Sequence, residues 1–480
     1  MNLTTPASRR PGAVIPIALL SFAFAGCASR GGPFDDWIRA EDERLWQPAS
    51  SSAWRTAHAD ATNGAEAPLE LPADADVEAY VHVALARNPS IRAAEQNVAA
   101  MAQRIPQVTS LDDPMLEVAP IGDMAETAAG SVSVMTGVSQ RFPLGGKLSA
   151  AGRVAEAEVA VALAQLEERR LEVAGDVRRA YWRLYLAARA LEVYEDNRAT
   201  LDQFARSAEA MYQAGRSSQQ DVLRVSIELS ELDADILEFE QQIASARAML
   251  NQLMDRPIDA ALPTPPPAAL GELELELAAL MREAVDANPS LKQIAASIDA
   301  DRERTKLAQL ERIPDLNVSF SYNLVDDSGL SPVANGNDQW WVGFGINVPI
   351  WQPRLEGAER EARLNVLRGL SRMAQLRNSI AFQVQDALLA ARTAHRRAVL
   401  FRETIVPQAK QTLDASLSAY QAGNIDALTV TDNRRRLLEF ELMLHESIAA
   451  LNRALADLKQ LTGGEQLEQI TEPTGDGVEP

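Results

Sequence analysis

Large apolar side chains alternate with small or polar ones in two stretches of the second half of the chain, residues 315–324 and 340–350. A period of two predicts β-strands that have one apolar face and one polar face. Each stretch is about ten residues long, which is the length of a tilted strand that crosses a bilayer. A soluble sheet buried on one face would show the same alternation, so the pattern alone leaves both alternatives open.

The first half of the chain carries a weaker copy of this pattern. Residues 115–121 predict one strand, although Pro114 and Pro120 bracket it. A second strand follows, with an apolar face formed by Val132, Val134, Val138 and Phe142. The chain therefore predicts four strands, and the polar segments 122–130 and 325–337 connect them in pairs.

A long helix is predicted after each pair of strands. No proline occurs between Leu144 and Arg256, and residues 147–213 predict one helix of about 100 Å. Its apolar residues follow alternating steps of four and three, which indicates a coiled-coil seam, and they are Val159, Leu163, Leu166, Val173, Val177, Ala180, Leu184 and Leu191. A matching helix is predicted over residues 354–421, with a kink at Pro407 because proline lacks a backbone donor.

Shorter helices are predicted to run alongside the two long ones. Return helices are expected at residues 217–254 and 426–463, and helices that begin at Pro89 and Pro289 precede the strands. One return helix and one helix that precedes the strands, stacked end to end, together nearly match the length of one long helix. The helical segment that precedes the strands is shorter in the first half than in the second. Residues 108–114 are therefore expected to be extended and to bridge the length that the helix does not cover.

The N-terminus predicts export and lipidation. Residues 13–25 are apolar, follow Arg9 and Arg10, and are typical of a secretory signal rather than a membrane-spanning helix. Cys27 is the only cysteine and follows small residues, an arrangement that resembles the bacterial lipobox, in which the thiol is acylated. In such lipoproteins a non-acidic next residue, here Ala28, implies transport to the outer membrane. The alternative is an incidental cysteine in a signal peptide that is cleaved elsewhere.

Three motifs occur twice in the same order, which indicates a tandem duplication. They are Asn-Pro-Ser at Asn88 and Asn288, Ile-Pro at Ile105 and Ile313, and Tyr-Gln-Ala-Gly at Tyr212 and Tyr420. The predicted organisation is a signal peptide (1–26), a lipid-anchored N-terminal segment (27–75), a first repeat (76–260), a Pro-rich linker (261–275), a second repeat (276–466) and an acidic tail (467–480).

Charge and motif content argue against several classes of function. A formal net charge of −21 disfavours nucleic acid as a partner, because binding phosphates needs a basic surface. The segment that ends at Lys147 lacks the upstream glycine and the Ser or Thr of a phosphate-binding loop. No metal-ligand spacing relates the histidines, which are His58, His82, His395 and His445. The sequence therefore predicts no enzyme activity, no cofactor and no metal site.

The duplicated order of elements, the Asn-Pro-Ser helix starts and the Tyr-x-x-Gly turns make residues 76–466 resemble the outer-membrane factor family. These TolC-like proteins belong to tripartite efflux and type I secretion systems, and a lipobox is common among the efflux members. Residues 110–116 and 139–148 are more similar to the heavy-metal efflux branch than to general drug exporters.

The resemblance implies a mainly α fold with transmembrane β-strands. Three chains would form a TolC-like homotrimer, in which four strands per chain make a 12-stranded β-barrel in the outer membrane. A long periplasmic α-helical coiled-coil barrel would continue from it. The chain would be lipid-anchored to the bacterial outer membrane and would extend into the periplasm.

The implied function is a passive exit channel of a tripartite efflux system. Metal ions or small toxic compounds would arrive from an inner-membrane pump of the RND type through a periplasmic adaptor protein. The alternative is a lipid-anchored periplasmic coiled-coil scaffold or chaperone without a channel. The alternating strands argue against this alternative, because a scaffold has no use for a sheet with one wholly apolar face.

The duplicated Tyr-Gln-Ala-Gly turns lie between the long helices and the return helices, at the points farthest from the membrane. A purely structural interpretation is open, with glycine as the helix cap and tyrosine as a packing residue. The resemblance adds that these tips dock on the adaptor. It makes interface candidates of Tyr212, Gly215, Arg216, Ser217, Ser218, Tyr420, Gly423, Asn424, Ile425 and Asp426.

Four residues shortly after these turns are candidates for a periplasmic gate: Asp221, Arg224, Thr429 and Asp432. In TolC-like channels, acidic side chains of the second repeat constrict the pore at this place. Only Asp432 matches that pattern fully, and Thr429 departs from it, so a double acidic ring is left open. The basic residues that follow either bond to such acids or form a solvated helix face, and they are Arg434, Arg435 and Arg436.

Cys27→Ser is expected to abolish acylation, because the thiol is the acceptor of the lipid, while membrane insertion persists because the barrel anchors itself. Metabolic labelling with palmitate checks this expectation. Label that persists in the variant would contradict the lipobox assignment.

Overall fold

The computed structural model describes residues 71–72, 75–121, 126–327 and 333–463. The predicted signal peptide, the acylation site Cys27 and the acidic tail lie outside the described residues, as does almost all of the segment 27–75. These assignments therefore stay predictions.

Helices and strands follow one another in the same order in both halves of the chain. The first half has α1 (Val77–Arg87), α2 (Pro89–Ala102), α3 (Arg104–Thr109), β1 (Met115–Pro120), β2 (Glu126–Thr127), β3 (Gly130–Phe142), α4 (Lys147–Gln213) and α5 (Gln219–Leu253). The second half has α6 (Leu277–Ala287), α7 (Pro289–Leu310), β4 (Leu316–Asp326), β5 (Gln339–Ile346), α8 (Gln352–Leu400), a π-helical turn (Phe401–Ile405), α9 (Val406–Gln421) and α10 (Ala427–Thr462).

The Asn-Pro-Ser motifs start α2 and α7 by the same contacts. Each asparagine accepts a hydrogen bond from the N–H two residues later, at 2.9 Å for Asn88 and 3.0 Å for Asn288. Proline follows in the first turn, where a helix needs no backbone donor. The side-chain amides donate to carbonyls at the far ends of the return helices, Asn88 to Leu253 at 2.8 Å and Asn288 to Leu461 at 3.2 Å. Each motif thus ties the start of its helical repeat to the end.

The strands form one antiparallel sheet in the order β1-β3-β4-β5, with β2 beside β3. The predicted alternation is confirmed, because apolar side chains from four strands lie next to one another on one face. One such row is Leu116, Val138, Phe320 and Val342. These four side chains are between 41% and 69% exposed in the single chain.

Two details of the strand prediction are wrong. Val132 was expected to share a face with Val134, but a register shift between them pairs Val132 with Val325 and Val134 with Leu324. A β-bulge of this kind turns one side chain to the opposite face. The last strand ends at Ile346 rather than at Ile350, because Pro349 cannot donate to a neighbouring strand.

The long helix α4 has the predicted bounds and contains 67 residues. Most of its predicted seam is confirmed, since Leu166, Val173, Val177, Ala180 and Leu184 are all at most 7% exposed. The start of the seam is wrong: Leu163 is 48% exposed, and the buried positions there are Ala155 and Ala162. Small residues at this level let neighbouring helices approach α4 closely.

The second long helix is interrupted close to the predicted position. The π-helical turn Phe401–Ile405 precedes Pro407, which removes one backbone donor and crowds the preceding turn. Leu148 and Leu355 lie near the starts of the two long helices, and Tyr212 and Tyr420 lie at their ends. The interval from Leu355 to Tyr420 is one residue longer than the interval from Leu148 to Tyr212. A π turn accommodates one extra residue within a helix, so it keeps the two halves in register on either side of it.

The bridge predicted in the first half is shorter than expected. Residues 108–114 were expected to be extended, but α3 continues to Thr109 and only the segment after it is non-helical. Thr109 Oγ1 donates to the carbonyl of Ile105 at 2.9 Å, and this bond extends the helical turn. Among the described residues, no helix is long and apolar enough to cross a membrane.

A buried ion pair joins the sheet to the helices. Lys147, the first residue of α4, donates to Asp315 Oδ1 and to the carbonyl of Ile313, both at 2.7 Å. The two charged side chains are only 7% and 12% exposed. Gly145 and Gly146 turn the chain sharply between β3 and Lys147. Their φ angles are 73° and 79°, and few residues other than glycine tolerate such positive values.

Lys147→Met is expected to destabilise the fold by about 3–5 kcal/mol, because it leaves the Asp315 carboxylate buried without its cation. Arg141→Gln is the control, since Arg141 and Asp112 form an exposed pair at 2.8 Å, and such pairs contribute about 0–1 kcal/mol. Thermal unfolding in detergent, followed by circular dichroism, compares the two. Equal shifts of the unfolding temperature would contradict the assignment.

Candidate functional site

The two hairpin tips have the same backbone geometry. Gly215 and Gly423 have positive φ angles of 69° and 76°, and the N–H of each donates at 2.9 Å to the carbonyl of the tyrosine three residues earlier. The next residue donates five residues back, at 2.8 Å from Arg216 and 2.9 Å from Asn424. This is the Schellman arrangement that ends a helix at glycine. An added Cβ would meet no atom within 4 Å at either glycine, so the backbone angle alone requires glycine.

The first tip places a gate candidate in a helix cap. Ser218 Oγ accepts from the N–H of Asp221 at 3.2 Å, and the Asp221 carboxylate accepts from the N–H of Ser218 at 3.1 Å. This reciprocal capping box stabilises the start of α5. The spacing Ser-x-x-Asp is visible in the sequence and could have predicted this role of Asp221.

The second tip also places a gate candidate in a helix cap, without the reciprocal bond of the first. Asp426 accepts from the backbone N–H of Thr429 at 3.0 Å and from its hydroxyl at 2.7 Å. The hydroxyl of Thr429, followed by its N–H, lowers the pKa of Asp426, and the positive charge of Arg224 contributes further. Arg224 belongs to α5, so the two tips lie close enough to affect each other electrostatically.

The two tyrosines of the duplicated motif have different surroundings. Tyr212 is 45% exposed, whereas Tyr420 is 3% exposed and packs edge to face on Phe204, with ring centroids 4.9 Å apart. Burial raises the pKa of Tyr420; the nearby Ser217 opposes this shift and Asp221 adds to it. Tyr420 therefore anchors the second tip within the protein, and Tyr212 is presented to solvent.

The remaining candidates form a largely polar surface. Ser217 and Ile425 are half-buried, and the exposed ones are Gly215, Arg216, Ser218, Gly423, Asn424 and Asp426. Asp432 is exposed on the second turn of α10.

The side chains between the tips bury a common apolar core. Val225 and Leu232 of α5 belong to the same buried cluster as Tyr420 of α9 and Val430 and Leu437 of α10. The two hairpins of one chain are therefore packed together over the first turns that follow the tips.

A buried charged group lies within this region and was not predicted. Glu228 of α5 accepts from Arg434 at 2.8 Å and from Arg435 at 2.5 Å, and we refer to these three residues as the interhairpin ion cluster. Arg434 and Arg435 were expected to bond to acids of a pore ring or to be solvated, yet both contact Glu228. The sequence gives no signal for this contact, because 206 residues separate Glu228 from Arg434.

The described part of the chain contains no group of three or more His, Cys, Asp or Glu residues placed to hold a metal ion. His395 contacts the carbonyl of Gly271 at 2.8 Å, and His445 Nδ1 lies 3.4 Å from the hydroxyl of Tyr185. Both contacts are between neighbouring segments of the helical region.

Comparison with known proteins supports the duplicated fold. The family model described as outer membrane efflux protein matches residues 80–256 and 280–464. The chain is 22% identical to the cobalt-zinc-cadmium resistance protein CzcC of Cupriavidus metallidurans, over 82% of this chain and 92% of CzcC.

Solved structures of outer-membrane proteins have the same fold. The structure of VceC from Vibrio cholerae superposes with a TM-score of 0.66 at 18% identity, covering 81% of this chain and 96% of VceC. The structure of CusC gives a TM-score of 0.66 at 17% identity, covering 87% of this chain and 95% of CusC. The resemblance and the fold class predicted from sequence are thus confirmed, and the chain belongs to the outer membrane efflux protein family.

Proposed function

We propose that three copies of this chain form a passive exit channel in the outer membrane, which a periplasmic adaptor and an inner-membrane pump of the RND type supply. The observation that carries this proposal is the exposed apolar face that strands β1, β3, β4 and β5 form together. The helical hairpins end in polar tips that suit docking on the adaptor. The channel needs no catalytic step, because the pump supplies the energy.

The sheet of one chain is incomplete for a membrane. Its apolar row is exposed to solvent in the single chain, and its edge strands β1 and β5 have one side without a partner strand in the described sheet. In lipid, every backbone polar group needs a partner. Pairing β5 of one copy with β1 of the next would close the sheet and turn the apolar face to lipid. This pairing between copies would be analogous to that of β3 with β4, which joins the two halves within one chain.

The duplication also indicates where the helices of a second copy pack. Within one chain, His445 of α10 packs on Tyr185 of α4, with ring centroids 6.2 Å apart. Leu237 holds the position in α5 that His445 holds in α10, and it is 66% exposed. On α8, Phe382 and Leu389 are 69% and 52% exposed. In a closed ring, α5 of the next copy covers this face of α8 as α10 covers α4.

We propose metal ions as the cargo. The support is the relative CzcC, whose name describes resistance to cobalt, zinc and cadmium, together with the segments 110–116 and 139–148. Small toxic organic compounds are the second candidate.

Replacing lipid-facing and opposite-face residues tests the channel and its cargo together. Phe320→Arg places a charge on the apolar face, which costs about 2–4 kcal/mol near the membrane midplane, so heat-resistant trimers should be lost. Ser321→Arg, on the opposite face, is the matched control and should retain them. In a deletion strain, the wild-type chain and Ser321→Arg should restore tolerance to cobalt, zinc and cadmium, and Phe320→Arg should not.

Equal behaviour of the two variants would support a scaffold without a channel. Restored tolerance to organic dyes without restored tolerance to the metals would assign the second cargo instead.

We also propose that the gate residues form the narrow periplasmic end of the pore, with Asp432 as its acidic ring. Three like charges in a ring attract multivalent cations and repel one another. Asp221 and Thr429, held in helix caps, and Arg224, near Asp426, set the positions of the tips around this ring.

Asp432→Ala is expected to raise the conductance of reconstituted channels and to weaken block by hexamminecobalt(III), because the ring loses its charge. Asp414→Ala, which removes an exposed carboxylate of α9 instead of one on α10, is the control and should leave both unchanged. Unchanged conductance and block in Asp432→Ala would remove it from the gate.

A further inference from the structure

We propose that Glu228 is a positioning residue of the periplasmic gate: through Arg434 and Arg435 it holds α10, and therefore Asp432, in place against α5. This inference rests on the proposed function, in which Asp432 lines the pore. Glu228 itself is 9% exposed and acts only through the arginines.

The geometry of the interhairpin ion cluster joins the two halves of the chain. Both oxygens of the Glu228 carboxylate are used, Oε2 by Arg434 Nη2 at 2.8 Å and Oε1 by Arg435 Nη2 at 2.5 Å. The side chains of Glu228 and Arg434 are 11% and 4% exposed. Charge-assisted hydrogen bonds of this kind are short and directional, so they fix the axial position of α10 relative to α5.

Burial explains why this contact serves position rather than stability. An apolar pair of similar size would hold two helices together at least as well, because removing charges from water offsets most of their attraction. The best attested use of buried charge in helix packing is to specify register. The apolar cluster around the ion cluster includes Val225, Leu232 and Leu437, and apolar contacts are less directional than charge-assisted hydrogen bonds.

Arg434 is also incompletely satisfied. Its Nε and Nη1 atoms are buried and have no hydrogen-bond partner in the described chain. Burial lowers the pKa of Arg434, and the charge of Glu228 opposes that shift. A buried donor without a partner is costly, so Arg434 depends on Glu228 for its place, and loss of the carboxylate releases it.

The duplication shows that this contact is specific to one interface. The first-half residues that correspond to Arg434 and Arg435 are Ser226 and Ile227, which offer no cation. The residue of the second half that corresponds to Glu228 is Arg436, which offers no carboxylate. The cluster therefore links the hairpins within one copy and has no equivalent between copies. It fixes α10 to its own chain, while the contact between copies stays free to move.

Asp432 lies two residues before Arg434 on the same helix. An axial or rotational displacement of α10 at Arg434 therefore moves the Asp432 carboxylate with it. The charge ring of the gate depends on three such carboxylates at equal positions, so a displacement weakens the binding of a multivalent cation.

The test measures block of reconstituted trimers by hexamminecobalt(III). Glu228→Gln keeps the shape and removes the charge, and block is expected to weaken severalfold, because the Asp432 carboxylates lose their equal positions in the ring. Glu231→Gln is the matched control, because Glu231 is 61% exposed and lies 3.7 Å from Arg435, and its block should equal that of the wild type. In an Asp432→Ala background, Glu228→Gln should add no further change.

A second pair of variants tests the same contact without leaving the buried Arg434 guanidinium unpaired. Arg435 is 50% exposed, so Arg435→Gln should fold normally and weaken block severalfold, whereas Arg436→Gln should leave it unchanged. Thermal stability of the trimer is measured alongside for all variants.

Block equal to that of the wild type in both Glu228→Gln and Arg435→Gln would overturn the inference. So would an effect of Glu228→Gln that is equal in the wild-type chain and in the Asp432→Ala background. A loss of stability without a change in block would show a structural role only, and would also overturn it. The proposed function fails separately, if the wild-type trimer forms no pore or if Asp432→Ala leaves conductance and block unchanged.

Discussion

The fold depends on burying the apolar seam of α4, which is longer than any helix that packs against it. The 67 residues of α4 span about 100 Å, and an apolar seam of that length has to be buried by several shorter helices in succession. Near the sheet, α2, α3 and α7 pack on α4, and toward the tips α5 and α10 do so. Because α7 and α10 come from the second half of the chain, the two halves cover α4 together.

Charged contacts place these shorter helices along α4. Glu158 of α4 binds Arg104 from the first half at 2.9 Å and Arg304 from the second half at 2.5 Å. Arg179 reaches Asp457 of α10 at 2.7 Å. These side chains are partly exposed, so the pairs contribute little stability, but they set which turns of neighbouring helices lie side by side.

The duplicated halves differ where the two hairpins meet. Tyr212 and Tyr420 occupy equivalent positions, yet only Tyr420 is buried, against Phe204. The buried carboxylate Glu228 has an arginine at the equivalent position of the second half. A ring built from three such chains has two kinds of interface between hairpins, alternating around the axis.

The sequence by itself determined the elements and their repetition. Period-two alternation located the strands, the proline-free stretch located α4, and the duplicated motifs predicted both tips, because all of these depend on local geometry and on residues close in sequence. The signals that failed were also local: the bulge that turns Val132 away from Val134 and the exposure of Leu163 depend on what packs opposite them.

Only the tertiary structure decided how the two halves interlock. The contact of Arg179 with Asp457 and that of Glu228 with Arg434 join residues from different halves of the chain. No periodicity records such pairs, since each partner alone is compatible with an exposed helix face. The family and its fold follow from pattern, whereas the charged junction between the hairpins follows from the packing of α5 against α10, which brings one buried carboxylate to two arginines.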